Sequence, residues 1–370
     1  MIFVNSVDKS LRTRTSCFAF LRKNKTILTK IQFMNISKFI YVGAIGLLAL
    51  TSCDDDTDDA GNEINGTADL YATSHTDGSV TKYDLLRGEI TTYGTASADA
   101  EGIYYSPDDD SFTIAARGAT QTSLQSYLSV SDIIEATISL DVDIMGPTVL
   151  QSPRDLAVNG NIYVVSDNAN ANGRFFVFEK DGDSFTLRNT VTVDFAVWGI
   201  EFVGNDLYAV VDSSSDLAVF TNFASTNTTD ATVAASKRIT VEGIVRTHGL
   251  DYDGGTMIMT DIAAASGGDF AVDGAFHVIT NFDSKFDAVD NGGTLAVTDQ
   301  VRYEGDATLM GNPVNVVYDA ETDAVYVAEL ANGGGQILTY GNVSSSAGGN
   351  VAPNSATALS GVSSLYLYKD

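Results

Sequence analysis

Cysteine is nearly absent from this 370-residue chain, since the only two, Cys17 and Cys53, lie in the first 53 residues. The rest of the chain therefore holds neither a disulfide framework nor a cysteine-based metal site. The three histidines (His75, His248 and His277) are too widely separated for a zinc motif such as H-E-x-x-H. There is also no Gly-x-Ser-x-Gly elbow, phosphate-cradling loop or dinucleotide fingerprint. The motifs that most directly identify an enzyme class are thus missing.

Positive charge is scarce beyond residue 52. The chain has 21 Lys/Arg, 48 Asp/Glu and a formal net charge of −27, but eight of the basic residues and one acid lie in the first 52 residues. The remainder therefore carries 13 basic and 47 acidic side chains. A body this acidic repels phosphate backbones, so we expect no nucleic-acid partner. Solubility outside the cytoplasm explains the composition, and cation binding is the alternative.

A short apolar run lies near the N-terminus, from Phe39 to Leu50. It follows Met34 and Lys38 and is too short to span a bilayer comfortably, which is the anatomy of a signal peptide. The closing Leu-Thr-Ser-Cys resembles a bacterial lipobox, and this resemblance implies that Cys53 is lipidated and becomes the first residue of the mature chain. We predict a lipoprotein signal peptide over 34–52. Residues 1–33 do not fit this scheme and are interpreted as an upstream extension, with translation starting at Met34. An ordinary cleaved signal is the alternative, and it also exports the protein.

Residues 53–66 include the run DDDTDD and are polar, small and acidic. Such a segment cannot bury apolar surface, so we predict a disordered tether. An acidic run directly after a lipidated cysteine resembles the surface-export signal of Bacteroidota lipoproteins. The enterobacterial sorting rule would instead assign Asp54 to inner-membrane retention. We favour a bacterial cell-envelope protein that is anchored in the outer membrane and faces outward.

From residue 67 onward, short runs rich in Val, Ile, Tyr, Phe and Thr alternate with Gly, Asp, Asn and Ser clusters, as in strands and tight turns. A unit of two apolar strands, a third strand and a more polar fourth strand recurs along the chain. This pattern predicts an all-β, six-bladed β-propeller with four antiparallel strands per blade. The predicted blades are 67–95, 100–142, 153–193, 197–241, 247–302 and 312–345.

The first blade has only three strands, and residues 361–370 show the alternation of the missing one. We therefore predict that the C-terminal strand completes blade 1 and closes the ring. Residues 135–142 and 293–302 are predicted as the outer strands of blades 2 and 5. The length of blade 5 leaves seven blades possible, and small β-sandwich repeats are the other alternative.

The repeats "GIYYSPDDDSFTIA", "DLAVNGNIYVVSD" and "NVVYDAETDAVYVAE" resemble the NHL/YVTN/gluconolactonase-like clan of propellers. Gluconolactonase-like members of the clan bind a divalent metal through Glu, Asn and Asp at the channel mouth. Here only Glu101 matches that set, so the resemblance implies a propeller and at most a Ca²⁺ site.

Aligning the repeats places one residue of each blade at the entrance to the central channel. These six rim residues are Glu101, Arg154, Trp198, His248, Val314 and Ser363. The first four are candidate ligand-binding residues, and Glu101, His248 and Arg154 are also candidate catalytic residues. A carboxylate accepts protons or binds cations, an imidazole titrates near neutrality, a guanidinium pairs with carboxylates and an indole offers a stacking face. The alternatives are a Glu101–Arg154 ion pair, a core position for Trp198 and a turn position for His248.

An acid recurs at the end of the second strand of the blades. Asp167, Asp212 and Asp261 occupy this position, with Glu329 one place away, and His75 and Arg117 take it in blades 1 and 2. An aspartate at a strand end accepts backbone N–H bonds from a turn. Cation binding is the alternative, which makes Glu101, Asp167, Asp212 and Asp261 weak candidate metal ligands.

These features leave two functions open. The first is a non-enzymatic, lipid-anchored propeller that binds a small molecule, a glycan or a protein at the cell envelope. The second is a lactonase-like hydrolase that acts at the channel mouth through Glu101 and His248, with or without a divalent cation.

Overall fold

The computed structural model describes residues 65–118, 122–170, 172–263 and 272–370. The predicted upstream extension, signal peptide, lipidated Cys53 and most of the acidic tether lie outside these residues. Within them, 51% of the structure is strand and 7% is helix, arranged as a six-bladed propeller. No helix of the described residues is long and apolar enough to cross a bilayer.

The first two blades occupy the start of the described chain. Blade 1 contains β1 (Ala68–Ser74), β2 (Val80–Asp84) and β3 (Ile90–Gly94). Blade 2 contains β4 (Ala100–Ser106), β5 (Ser111–Ala116) and β6 (Leu124–Leu128). The chain then forms β7 (Thr137–Ser139), which belongs to the sheet of blade 1, and β8 (Ile144–Met145), which completes blade 2.

The third and fourth blades follow the same scheme. Blade 3 is β9 (Pro153–Asn159), β10 (Ile162–Asp167), β11 (Arg174–Asp181) and β12 (Ser184–Thr192). Blade 4 is β13 (Val197–Val203), β14 (Asp206–Val211), β15 (Asp216–Phe220) and, after helix α1 (Phe223–Thr226) and strand β16 (Ala231–Thr232), β17 (Lys237–Val241). Strand β16 joins the sheet of blade 3.

The last two blades complete the ring. Blade 5 is β18 (Leu250–Asp253), β19 (Thr256–Asp261), β20 (Ala275–Ile279) and β22 (Val301–Glu304). Between β20 and β22 the chain forms helix α2 (Phe282–Ala288), strand β21 (Thr294–Leu295), which joins the sheet of blade 4, and a 3₁₀ turn (Val297–Asp299). A second 3₁₀ turn (Asp306–Thr308) leads to blade 6, which is β23 (Pro313–Asp319), β24 (Ala324–Glu329), β25 (Gln336–Gly341) and β26 (Ser355–Ala358), with a 3₁₀ turn at Asn332–Gly334. The C-terminal strand β27 (Val362–Lys369) pairs antiparallel with β1.

Closure of the ring by the C-terminal strand is confirmed. Leu70 pairs with Leu367 and Tyr71 with Tyr366, so β27 is the innermost strand of blade 1. Each innermost strand packs against the next one around the axis, in the order β27, β4, β9, β13, β18, β23 and back to β27. The hydrophobic core is correspondingly divided into six clusters, one between each pair of adjacent blades. The buried apolar faces of two neighbouring sheets thus drive closure, because an isolated blade would leave both faces in water.

Two predicted outer strands lie wholly or partly in the preceding blade. Residues 137–139, within the predicted 135–142 strand of blade 2, pair parallel with β3 of blade 1. Residues 294–295, within the predicted 293–302 strand, pair parallel with β17 of blade 4, whereas residues 301–302 of the same segment begin β22, the outer strand of blade 5. In both cases the connection from the third to the fourth strand covers the outer edge of the preceding blade, which protects that edge from other chains. The prediction that blade 6 ends at residue 345 is also wrong, because β26 extends to Ala358.

Candidate functional site

The six rim residues take equivalent positions at one end of the propeller axis. Five of them are the second residue of an innermost strand, and His248 lies two residues before β18. Val314 and Ser363 are buried structural residues. Val314 packs in the core between blades 6 and 1. The Ser363 hydroxyl lies 2.8 Å from that of Thr73 and donates to the Ala100 carbonyl at 2.7 Å. The chemically distinctive side chains are therefore on blades 2 to 5.

Glu101 is the centre of a buried ion-pair cluster. The Nη1 group of Arg117 donates to its Oε1 at 2.8 Å, and Nε2 of His75 lies 3.2 Å from the same oxygen. His75 Nδ1 is 2.6 Å from Asp99 Oδ1. Burial alone would lower the pKa of His75, but its bonds to Asp99 and Glu101 outweigh burial and raise that pKa to about 9. The partners of Glu101 are thus Arg117 and His75, and not Arg154 as the sequence suggested.

Arg154, Trp198 and His248 form a stack. The His248 ring lies parallel to the Trp198 ring at 3.7 Å, and the Arg154 guanidinium carbon lies 4.1 Å from the Trp198 ring centre. Two groups this close to one ring centre would collide on the same side, so they cover opposite faces of the indole. The predicted stacking face of Trp198 is therefore occupied within the protein. Trp198 instead supports Arg154, whose charge is attracted to the indole face.

A hydrogen bond from Nε fixes the position of the Arg154 side chain. Its Nε donates to Oδ1 of Asn168 at 2.6 Å, and the side chain is half-buried. Burial and the nearby charge of Arg117 lower its pKa, yet a guanidinium stays charged in a protein. The other arginines at this end of the axis each contact a carboxylate: Arg117 with Glu101, Arg174 with Asp167, Arg246 with Asp212 and Arg302 with Asp261. Arg154 differs from them because its contacts are with an amide and an aromatic ring.

His248 is buried beneath Trp198, with 4% of its surface exposed. Its Nε2 lies 3.5 Å from Oδ1 of Asp212, to which Nε of Arg246 donates at 2.9 Å. Burial lowers the pKa of His248. Burial alone would raise the pKa of Asp212, but His248 and Arg246 lower it to about 2. The imidazole is therefore neutral at pH 7 and lies beneath the indole.

The acids at the ends of the second strands hold the loops that enter the blades. Asp167 accepts the backbone N–H groups of Gln151 and Ser152, each at 2.7 Å. Asp261 accepts those of Val245 and Arg246. Glu329 likewise accepts backbone N–H groups, those of Gly311, Asn312, Ala331 and Asn332. These bonds use the oxygens that a cation would need, and no three or more His, Cys, Asp or Glu among the described residues are placed to hold a metal ion.

A belt of small and polar residues follows the rim. In each blade it is the residue after the rim position: Gly102, Asp155, Gly199, Gly249, Asn315 and Ser364. The polar members bond to the next blade, since Ser364 Oγ accepts the Gly102 N–H at 2.8 Å and Asp155 accepts the Ile200 N–H at 3.0 Å. The glycines permit close approach. A Cβ on Gly199 would lie 2.4 Å from the His248 carbonyl oxygen.

A cavity of about 360 Å³ lies between the innermost strands and begins at this belt. It extends to Asp253, Asp319 and Lys369, at the ends of those strands, and none of the six rim residues lines it. Three acids that sequence reasoning missed face it: Asp155, Glu201 and Asp251. Glu201 and Asp251 line the cavity and are half-buried.

Burial raises the pKa values of these acids, to about 7 for Asp155 and for Asp251 and well above the usual range for Glu201. Their mutual repulsion acts in the same direction. Asp155 and Asp251 accept backbone N–H bonds from Ile200 and Tyr318, and these bonds partly offset the rise in pKa. Asp155 and Asp251 are therefore expected to ionise close to neutral pH. In the sequence, these cavity acids are recognisable as carboxylates within an apolar innermost strand, as in GIEFV (199–203) and GLDYD (249–253).

The comparisons with known proteins show the fold alone. No protein-family model matches the chain, and no curated protein matches its sequence. One chain of the crystal structure of a nidogen/laminin complex is similar, with a TM-score of 0.52 and 10% identity over 81% of this chain and 98% of that one. A 6-phosphogluconolactonase candidate from Bacteroides fragilis gives a TM-score of 0.53 and 10% identity over 84% of this chain and 100% of its own. One of these structures is a binding complex and the other is described as an enzyme, so the shared propeller favours neither function.

Proposed function

We propose that this chain is an exported, lipid-anchored protein of the cell envelope whose propeller binds a carboxylate-bearing ligand at the rim. The observation that carries the proposal is Arg154, a charged guanidinium at the entrance to the axis that contacts no carboxylate among the described residues. A planar guanidinium can bind a carboxylate through two parallel hydrogen bonds. Trp198 and Asn168 hold the group in place before the ligand arrives, which lowers the entropy cost of binding.

The distribution of charge supports the same end of the axis. The chain after residue 52 has 13 Lys/Arg against 47 Asp/Glu. Five of the 13 are the arginines at this end: Arg117, Arg154, Arg174, Arg246 and Arg302. Four of them offset the carboxylates that they contact, and Arg154 adds a positive charge that no such contact offsets. This local balance of charge reduces the repulsion that an anionic ligand meets from an otherwise acidic chain. Acidic sugars and acidic peptides both carry the required carboxylate.

The geometry gives less support to the hydrolase alternative. Glu101, its proposed acid or base, is engaged by Arg117 and His75, and His248 lies buried beneath Trp198. Neither residue lines the cavity. A general acid or base must reach the proton that it transfers, directly or through one water molecule. The binding function makes no such demand on these two residues.

Melting curves of the chain from residue 62 onward test the binding proposal. We expect uronate oligosaccharides or acidic peptides to raise the melting temperature, because a ligand that binds only the folded state stabilises it by about 2.7 kcal/mol at a hundredfold excess over Kd. Arg154→Ala should abolish the shift, and Arg154→Lys should weaken it. Arg188→Ala, on the outer strand of the same blade, is the matched control and should leave it unchanged. Ca²⁺ in parallel wells tests the weaker metal prediction. A shift that survives in Arg154→Ala contradicts the proposed site.

The anchor and its location need a separate test. The support is the apolar run after Met34 and the lipobox-like residues 50–53. In a bacterial host, we expect the protein to incorporate a labelled fatty acid and the Cys53→Ser variant to lose this label. We also expect the protein to be bound to the membrane and to be degraded by protease that is added to intact cells. Soluble, unlabelled protein would contradict the anchor. Labelled protein that resists the protease would contradict the outward-facing location alone.

A further inference from the structure

Four exposed apolar residues lie at the end of the propeller where the innermost strands end, opposite the rim. They are Leu85, Leu86, Ile90 and Ile134, with exposed fractions of 39%, 42%, 50% and 93%. The first three lie in or beside the turn between β2 and β3, and Ile134 lies in the segment after β6. A single groove is lined by both segments, including Ile90 and Ile134. We call these four residues the apolar patch.

The N-terminal end of the described chain emerges beside this patch. Thr67 lines the same groove. In the turn between β2 and β3, Nη2 of Arg87 donates to the Gly66 carbonyl at 3.3 Å. The N–H of Leu85 donates to the Ala68 carbonyl at 2.8 Å. The patch therefore lies at the point where the tether meets the propeller.

The short tether limits how far the patch can move from a lipid attached to Cys53. Eleven residues, Asp54 to Ile64, separate that cysteine from the described chain. Even fully extended they span only about 40 Å, at roughly 3.5 Å per residue. A segment this short keeps the patch at high effective concentration near the lipid surface. Contact then requires only a weak intrinsic affinity.

We propose that the apolar patch docks on the lipid surface that holds the anchor. The inference rests on the proposed lipidation of Cys53. Exposed Leu and Ile side chains gain free energy when they leave water for the acyl-chain boundary. Asp84 and Glu89 flank the patch, as do Lys82 and Arg87, so apolar insertion and not attraction to anionic lipid drives the contact. The docked propeller presents its rim, with Arg154, away from the membrane and toward an arriving ligand.

A fluorescence experiment tests the docking without requiring lipidation of Cys53. The chain from Asp54 to Asp370 is held on phosphatidylcholine vesicles by an N-terminal histidine tag and a nickel-chelating lipid. Because this chain contains no cysteine, Ile134→Cys gives a single site for a polarity-sensitive dye. Val297→Cys is the matched control, since Val297 is 47% exposed and lies near Gly243 in the loop that enters blade 5 at the rim end. A nitroxide-labelled phosphatidylcholine quenches dyes that reach the bilayer.

We expect quenching at position 134 to be at least twofold stronger than at position 297. Leu86→Asp combined with Ile90→Asp should reduce it to the level at position 297, while the tag keeps the protein on the vesicle. Equal quenching at the two positions overturns the proposal. Quenching that occurs only when the vesicles contain anionic phosphatidylglycerol also overturns it. A dye that stays unquenched while the protein self-associates overturns it too, and would assign the patch to contact with a second copy of the chain. Loss of fatty-acid labelling at Cys53 would contradict the proposed anchor and leave this vesicle result unchanged.

Discussion

The rim and the cavity both contain carboxylates on neighbouring strands of the ring, yet these carboxylates have different partners. At the rim, Glu101 and Asp212 contact cationic side chains within 3 Å. In the cavity, Asp155 and Asp251 receive backbone N–H bonds, and burial raises both pKa values to about 7. The difference teaches that rim charges stabilise the fold as pairs, whereas the cavity acids cost stability once they ionise.

The belt between these two regions should be the most sensitive place in the ring. Gly199→Ala is expected to lower the free energy of unfolding by about 3 kcal/mol, because its Cβ would lie 2.4 Å from the backbone oxygen of His248. Gly341→Ala is the matched control, since its nearest neighbour would be 3.6 Å away. Urea unfolding of both variants measures the difference. Equal stabilities would show that the innermost strands do not approach as closely as described.

Neutralising one acid in each region should change stability in opposite directions. Glu101→Gln leaves Arg117 and His75 without their shared carboxylate, so we expect a loss of about 2 kcal/mol at pH 8. Glu201→Gln removes a carboxyl group whose ionised form is disfavoured by burial, so we expect a gain of about 1 kcal/mol at pH 8 and little change at pH 4, below the ordinary pKa of a glutamate. Urea unfolding at the two pH values measures both. Destabilisation by both variants would remove the distinction between the regions.

The sequence was sufficient for the fold because the fold rests on local signals. Hairpin turns, strand alternation and the unpaired C-terminal strand predicted six blades and their closure. The strand at 135–142 and the first part of that at 293–302 were assigned to the wrong blade, because alternation does not identify the hydrogen-bond partner of an edge segment. The rim positions followed from aligning the repeats, but the partners of Glu101 did not, because Arg117 and His75 follow the second strands of two different blades, β5 and β1. The cavity acids were missed because the prediction considered only the entrance to the axis.

The His75 ion pairs should give the rim a distinct pH dependence. The folded-state pKa of His75 is about 9, above the ordinary 6.5. A raised pKa means that the stabilisation is fully present below pH 6.5 and is lost as the pH rises through 9. We expect this group to contribute about 2 kcal/mol, after allowance for solvent screening.

His75→Gln should therefore flatten the decline in stability between pH 6.5 and 9. The measurement is the free energy of unfolding in urea across that range. The control is His277→Gln, because burial lowers the pKa of His277 to about 4 and it does not titrate in this range. A decline that persists unchanged in His75→Gln would show that other groups cause it.

The smallest effect on stability is expected at the residue that matters most for the proposed function. Arg154→Ala removes one hydrogen bond to Asn168 and the contact with Trp198, but none of the carboxylates that the structure describes loses a cationic contact. We expect a loss of about 1 kcal/mol or less in urea unfolding. Arg117→Ala, which removes one of the two cationic side chains that contact the buried Glu101, should cost about 2 kcal/mol. A guanidinium that adds little to the fold is free to serve a ligand, so an Arg154→Ala variant as unstable as Arg117→Ala would assign Arg154 to the scaffold and remove the main support for a carboxylate site at the rim.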